Sequence, residues 1–292
     1  MLCKKPSLNP LSIATKLISV LRLSAPGRMI KRFLFVSLFL LPHLVVAQET
    51  FSWIGQKVVT KYDYPVKIGD QLVEKQNLFH VYTVKQTNGD WLLVGWEGKE
   101  GWLPASQVVL FDQAINFYTQ EIAANPGNYR AWNQRGIIWD EKKEYDIAIA
   151  DYNEAIRLNP ASFKTYQGRG IAWHNKKEYD KAIGDFNEVM RLDPKGADAY
   201  NELAWLWATC PDERFRDGKK AVELATRACE LTEWKDAEIL DTLAAAYAEL
   251  GDFEKAVEWQ EKTNKRLAEE LRKGGEERLK LYKEKKPYRE TE

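Results

Sequence analysis

The sequence predicts a mainly α-helical protein, an array of stacked helical hairpins preceded by a small β-barrel. Three observations carry that expectation. Residues 144–160 (EYDIAIADYNEAIRLNP) and 178–194 (EYDKAIGDFNEVMRLDP) are near copies offset by 34 residues. The same spacing holds Pro126, Pro160 and Pro194 in register, and likewise Trp132, Tyr166 and Tyr200, then Ala114, Ala148 and Ala182, then Gly136, Gly170 and Ala204. A period in this range marks repeated helical units that stack on their neighbours. Ahead of the copies, residues 51–111 change character: apolar and polar residues alternate in LFHVYTVKQ and WLLVGW, with turn signals at Asn88-Gly89-Asp90 and Glu97-Gly98. Short, closely spaced strands over a segment of this size suit a small barrel.

Taken from the N-terminus, the first element is a leader. From Met29 the chain runs MIKRFLFVSLFLLPHLVVAQET, with Lys31 and Arg32 before an apolar run from Phe33 to Val46 and small residues at Val45-Val46-Ala47. This is the layout of a secretory signal peptide cleaved after Ala47, and the run is shorter than the roughly 20 residues that span a bilayer. Residues 1–47 are therefore expected to be leader and signal peptide, with translation from Met1 or Met29, export to the periplasm or medium, and no stable membrane span after cleavage. The alternative is an uncleaved membrane anchor. Residues 1–47 hold seven Lys/Arg and no Asp/Glu, so the formal net charge of zero leaves about −7 on the remainder. That balance argues against nucleic acid as a partner, which calls for clustered positive charge. An aromatic content of 12% argues against disorder.

In the repeated region, each interval between prolines holds two helical stretches, such as Arg130–Glu141 and Tyr145–Leu158, with Trp132, Trp139, Ile149, Tyr152 and Ile156 at helical spacing. Gly136 and Ala148 have almost no side chain and let paired helices approach closely. Tyr145 and Tyr152 are expected to fill the space between one hairpin and the next. Asn159-Pro160 ends the second helix, because the residue before Pro disfavours the α conformation. One hairpin cannot bury both faces, whereas a stack does.

These residues carry a family resemblance. Trp132, Gly136, Trp139, Tyr145, Ala148, Tyr152, Ala155 and Pro160 resemble the tetratricopeptide repeat pattern, and Tyr166, Gly170, Trp173, Tyr179, Ala182, Phe186 and Pro194 repeat it, with Val189 where a small Ala is usual. The resemblance covers residues 112–270 and implies a right-handed α-superhelix: a half repeat (FDQAINFYTQEIAANP, an orphan second helix at Gln113–Ala124) followed by about four hairpins. The third hairpin opens at Tyr200 with Leu203, Ala204 and Trp207. The insertion PDERFRDG, near 210–218, lengthens its turn, and its second helix is expected to resume at Ala221. The fourth has Leu240, Ala244, Tyr247, Gly251, Phe253 and Ala256 on the marker positions. Cys210 and Cys229 sit on antiparallel helices with about 15 Å of axial separation, too far for a disulfide, so both are expected as packing residues or free thiols. Residues 271–292 form a charged C-terminal cap or tail, expected to be broken at Gly274-Gly275 and solvated on its charged face.

Residues 51–111 end in GWLPASQVV, which resembles the GYIPSNYV close of an SH3 domain and points to an SH3-like barrel, with the bacterial SH3-like domains of exported proteins as the alternative resemblance. In that family the equivalents of Tyr62, Tyr64, Trp91 and Pro104 line a peptide groove. Gln107 stands where a groove Tyr is expected, and the competing reading is that these aromatics pack the barrel or its seam with the orphan helix, which must bury its face on something.

No catalytic constellation is legible. After the leader only His80 and His174 remain, neither beside a Cys or at metal-ligand spacing with carboxylates, and His174 is expected at a solvent position. There is no phosphate-binding Gly-rich loop and no Gly-x-Ser-x-Gly elbow. The expectation is a non-enzyme without cofactor or metal. The resemblance implies that first helices line a concave groove, presenting Arg130, Asn133 and Ile137, then Lys164, Gln167 and Ile171, then Asn201 and Trp205, to a protein or peptide partner. The expected function is an exported adaptor or scaffold module that docks such a partner. The alternatives are a cell-envelope binder whose barrel holds peptidoglycan or its stem peptides, and a hydrolase with an unrecognised site.

Overall fold

A computed structural model describes residues 52–290 apart from 63, 70, 74–80, 97–98 and 268. The leader and signal-peptide expectation, Asp63, His80 and the Glu97-Gly98 turn lie outside the described residues.

Among the described residues seven short strands form one antiparallel sheet, β1 (Lys57–Thr60), β2 (Val66–Ile68), β3 (Gln71–Val73), β4 (Tyr82–Asn88), β5 (Trp91–Trp96), β6 (Lys99–Pro104) and β7 (Val108–Leu110), in the order β3-β2-β6-β5-β4-β1-β7. The alternation read in the sequence sorts side chains between faces: Tyr82 and Val84 are buried while Thr83 and Lys85 are exposed. Val58, Val66, Leu92, Val94, Leu103 and Val108 join them in one apolar cluster. Between β6 and β7 lies a single 3-10 turn at Ala105–Gln107.

Ten α-helices follow among the described residues: α1 (Phe111–Ala124), α2 (Tyr129–Glu141), α3 (Tyr145–Leu158), α4 (Phe163–Asn175), α5 (Tyr179–Leu192), α6 (Ala197–Thr209), α7 (Gly218–Leu231), α8 (Ala237–Leu250), α9 (Phe253–Asn264) and α10 (Glu269–Lys283). They pair as α2/α3, α4/α5, α6/α7 and α8/α9, with α1 as the unpaired second helix expected from the half repeat. Its uncovered face is buried on the sheet. Val59 of β1 packs with Ala114, Tyr118 and Ile138, and the Tyr118 hydroxyl donates to the Thr60 carbonyl at 2.8 Å. Sheet and helices thus share a core, with β1 placing Val58 into the sheet's own cluster and Val59 against α1.

The small-residue markers do the work expected of them. A Cβ on Gly136 would lie 3.0 Å from the Tyr152 ring, and one on Gly170 would lie 2.8 Å from the Phe186 ring. Tyr152, 1% exposed, fills the gap between its own hairpin and Gly168 of the next. Glu233, at φ 52°, lies in the link between α7 and α8, and the turn of the third hairpin is the insertion. The other three hairpin turns close alike, with Lys143, Lys177 and Gly251 at positive φ of 63°, 62° and 88°. In each turn the following amide reaches back to the helix, Glu144 to the Trp139 carbonyl and Glu178 to the Trp173 carbonyl, both at 2.9 Å. This is a Schellman closure, which favours glycine at the positive-φ position.

Three expectations are corrected. The second helix of the third hairpin resumes at Gly218 rather than Ala221, because the Asp217 carboxylate accepts from the Lys219 and Lys220 amides at 3.1 and 3.0 Å and caps an earlier start. Helix α10 runs through Gly274-Gly275 without a break. Gly275 is buried where a Cβ would collide with Asn264 and Leu267, so the residue permits close packing on α9. The tail is also not a wholly solvated face: Tyr282 is fully buried, and the Arg278 guanidinium binds the Asp241 carboxylate at 2.6 Å.

Cys210 and Cys229 are free and buried, and burial pushes the Cys229 thiol up to about 12, which leaves it protonated and unreactive near neutrality. No helix among the described residues is long and apolar enough to cross a membrane.

Candidate functional site

Each hairpin's first helix places one residue of the expected groove at the same repeat position. Asn133, Gln167 and Asn201 are such a set, and Asp241 of α8 follows them on its helix. Asn133 and Asn201 are half-buried, and each has a buried Oδ1 without a hydrogen-bond partner among the described residues. Gln167 is only 2% exposed and lies beneath the face, its Nε2 likewise unpartnered. Asp241 is satisfied by Gln260 and by Arg278 of α10. The row is therefore spent at its C-terminal end, buried at Gln167 on α4, and partly open at Asn133 on α2 and Asn201 on α6.

The remaining groove residues divide. Arg130 is exposed, its guanidinium 5.7 Å from the Tyr129 ring. Lys164 is half-buried. Ile137 packs against Ala148, Ile149 and Tyr152, and Ile171 packs against Tyr179, Phe186 and Leu206, so both serve the joints between helices. Trp205 is occupied. Its Nε1 donates to the Glu290 carboxylate at 2.6 Å, and the Tyr288 ring lies 5.9 Å from its own. The Arg278 guanidinium stands 5.7 Å from Trp205 and 5.6 Å from Tyr288.

This C-terminal segment was not foreseen. After α10, Lys285 takes φ 56° and the Lys286 amide reaches back to the Leu281 carbonyl, which turns the chain onto the end of α6. There the Glu290 amide donates to the Thr209 carbonyl at 3.0 Å. Arg289 donates to the Ala208 carbonyl at 3.3 Å and pairs with Glu249 at 2.5 Å. Glu249 is also held by Arg216 of the insertion at 3.3 Å.

His174 lies here too, which corrects the expected solvent position: its side chain is 21% exposed, with Nε2 3.4 Å from Glu290 and its ring 5.6 Å from the Tyr179 ring. At that distance, and with no aligned hydrogen bond, the contact is an ion pair when His174 is protonated. Burial pulls the His174 pKa down, but the facing Glu290 carboxylate outweighs it and the net shift is upward. Burial works against the Glu290 charge, yet His174 and Trp205 hold its carboxyl below the usual range. Beside them burial pushes Glu202 up to about 7, the nearby Asp198, Glu290 and Glu238 adding to the rise and His174 opposing it. On α2, burial with help from Glu141 raises Asp140 to about 6.

The residues of the SH3-like set have different surroundings. The Tyr62 hydroxyl donates to Glu121 of α1 at 2.7 Å and accepts from Asn128 at 3.2 Å, so Tyr62 belongs to the seam between sheet and helices. Tyr64 packs on the sheet's apolar cluster. Trp91 and Pro104 are opposite each other on β5 and β6, with Trp91 38% exposed.

Sequence reasoning missed a repeated ion-pair ladder as well. Arg135 grips Asp151 and Arg169 grips Asp185 with two bonds each, and both guanidinium groups reach back to the preceding hairpin unit, at Thr119 and Asn153. The signal was available, since both partners recur at the 34-residue spacing. Among the described residues no group of three or more His, Cys, Asp or Glu could hold a metal ion.

Models of the tetratricopeptide repeat match residues 129–162 and 237–263, so the chain carries tetratricopeptide repeats. No curated protein matches it. Among solved structures, MamA is 22% identical with a TM-score of 0.47, covering 53% of this chain and 88% of that one. YrrB, described as a TPR protein with an unusual peptide-binding site, is 21% identical with a TM-score of 0.44, covering 51% and 74%. The first TPR of Spaghetti (RPAP3), bound to an HSP90 peptide, is 32% identical with a TM-score of 0.31, covering 32% and 73%.

Proposed function

We propose that this protein is an exported interaction module that docks an extended peptide or protein segment along the first-helix face of α2, α4 and α6. The observation that carries the reading is the row at Asn133 and Asn201, whose buried Oδ1 atoms have no hydrogen-bond partner among the described residues. Buried polar atoms are normally paired. A peptide backbone presents alternating donors and acceptors that a side-chain amide can meet, and Arg130, one turn before Asn133, with Lys164, one turn before Gln167, supplies positive charge for a partner carboxylate. Export rests on the Met29–Ala47 pattern, with an uncleaved anchor as the alternative.

The test is capture of envelope proteins by the full chain and by the Arg130→Glu, Lys164→Glu double variant. The expected result is loss of the captured partner with an unchanged melting transition. Equal capture by both would remove the assignment.

A second reading, cell-envelope binding through an SH3-like domain, is favoured by the exposed Trp91 beside Pro104. It is weakened by Tyr62, whose hydroxyl is committed to α1. Cosedimentation of the full chain and its Trp91→Ala variant with purified cell wall tests it. Pelleting that depends on Trp91 would establish the envelope reading, and no pelleting would dismiss it.

A further inference from the structure

The C-terminal strap is held differently from an ordinary solenoid end cap. A cap needs apolar cover, and α10 already gives that through Tyr282. The strap instead makes specific contacts at each of its residues. Tyr288 lies against Trp205 and Arg278, Arg289 pairs with Glu249, and Glu290 is received by the Trp205 indole and the His174 imidazole. The backbone adds the Glu290 amide bond to Thr209. Successive side chains are thus read separately, as a peptide's are. Trp205 also stands on α6, the helix that carries Asn201 of the row.

We propose that residues 288–290 are the resident occupant of a peptide site, and that the site takes from a partner an extended segment with an aromatic ring two residues ahead of a carboxylate and a basic side chain between them. This rests on the reading of the first-helix face as a docking surface and supplies the partner's chemistry. The strap is displaceable. Its ion pairs keep partial access to solvent, Arg289 at 32% against Glu249 at 13% and Glu290 at 28% against His174 at 21%, and solvent screening weakens such pairs. Its one ring is only half-buried. A segment of the same chemistry on a partner, with further contacts to Asn201 and Asn133, competes for the same groups.

The experiment measures binding of a labelled peptide with the sequence of residues 285–290 (KKPYRE) to the full chain and to a chain ending at Lys286. The truncated chain is expected to bind it. The full chain is expected to bind at least about tenfold more weakly, for a strap docked nine-tenths of the time or more. Peptides carrying Tyr288→Ala or Glu290→Gln should lose affinity for the truncated chain. No binding to a folded truncated chain, or equal binding to both chains, would overturn the proposal. Should the truncated chain not fold, the full-length Tyr288→Ala, Glu290→Gln variant is used instead. It is expected to take up the labelled peptide and to show a lower His174 pKa by NMR, and failure of either overturns the proposal. Arg130 and Lys164 make none of the strap contacts given above. Peptide binding can therefore fail while capture still depends on those two residues, which would remove the strap as a ligand and leave the docking face standing.

Discussion

Arg135 holds Asp151 through two parallel bonds, Nε to Oδ2 at 2.7 Å and Nη2 to Oδ1 at 2.8 Å, and its third nitrogen reaches Thr119 at 3.1 Å. One side chain therefore joins α1, α2 and α3. Arg169 repeats the arrangement with Asp185 and Asn153. Such a fork supplies what apolar stacking lacks, a fixed rotation of each helix against the next.

Asp151→Ala should cost about 2–3 kcal/mol, because it strands a guanidinium that is 17% exposed beside a carboxylate site that is 5% exposed. Arg135→Met with Asp151→Leu should recover part of that loss. Denaturant unfolding of the two variants measures both numbers, and a double variant no more stable than Asp151→Ala would contradict the account of the pair.

Lys143 and Lys177 occupy left-handed positions that Gly251 fills in the fourth turn. The left-handed conformation costs an L-residue about 1–2 kcal/mol, part of which glycine returns through its larger unfolded-state entropy. Lys143→Gly and Lys177→Gly should each raise stability by about 0.5–1 kcal/mol. A fall in melting temperature in either variant would show that the lysine side chain contributes more than the backbone strain it carries.

Tyr118 is fully buried, and its hydroxyl donates to the Thr60 carbonyl at 2.8 Å. Tyr118→Phe leaves that carbonyl without this donor and should cost about 1–2 kcal/mol. Since sheet and helices share the core at Val59, Ala114 and Ile138, the loss should lower one common transition. A sheet that melted separately in the wild-type protein would contradict a shared core.

The folded-state pKa of Glu202 is raised to about 7 from 4.5. A carboxyl raised on folding stabilises below its unfolded pKa, and that contribution is lost as pH climbs through the folded one. Between about pH 4.5 and 7 the protein should lose up to about 1.4 kcal/mol per pH unit from this group. His174 acts in the same direction, since its pKa is raised and its pair with Glu290 fades above it. Glu290, held low, opposes only at acid pH. Melting temperatures of the wild type and Glu202→Gln from pH 5 to 8 measure the effect. The variant should show a shallower decline, and parallel curves would remove Glu202 as the cause.

The helices most legible in the sequence were those whose residues recur. Helix α3 was placed at Tyr145–Leu158 and found there, because its apolar stripe, its small residue at Ala148 and its terminating Asn159-Pro160 are all local signals. The start of α7 was missed because one side chain, Asp217, shifts it by three residues. The passage of α10 through two glycines was missed because packing against Asn264 and Leu267 overrides propensity. At the candidate site, the helix position of each groove residue was legible and its depth was not: Gln167 is buried by neighbours that no spacing reveals. The bond between Trp205 and Glu290 joins residues 85 apart and has no local signature at all.

The central claim is that partners dock on the first-helix face. It is tested most directly by photo-crosslinking from position 133, on α2, and from position 187, exposed on α5. Adducts to a partner from position 133 but not from 187, lost in the Arg130→Glu, Lys164→Glu background, are the predicted result. Adducts from position 187 alone, or adducts from 133 that persist in that background, would contradict it.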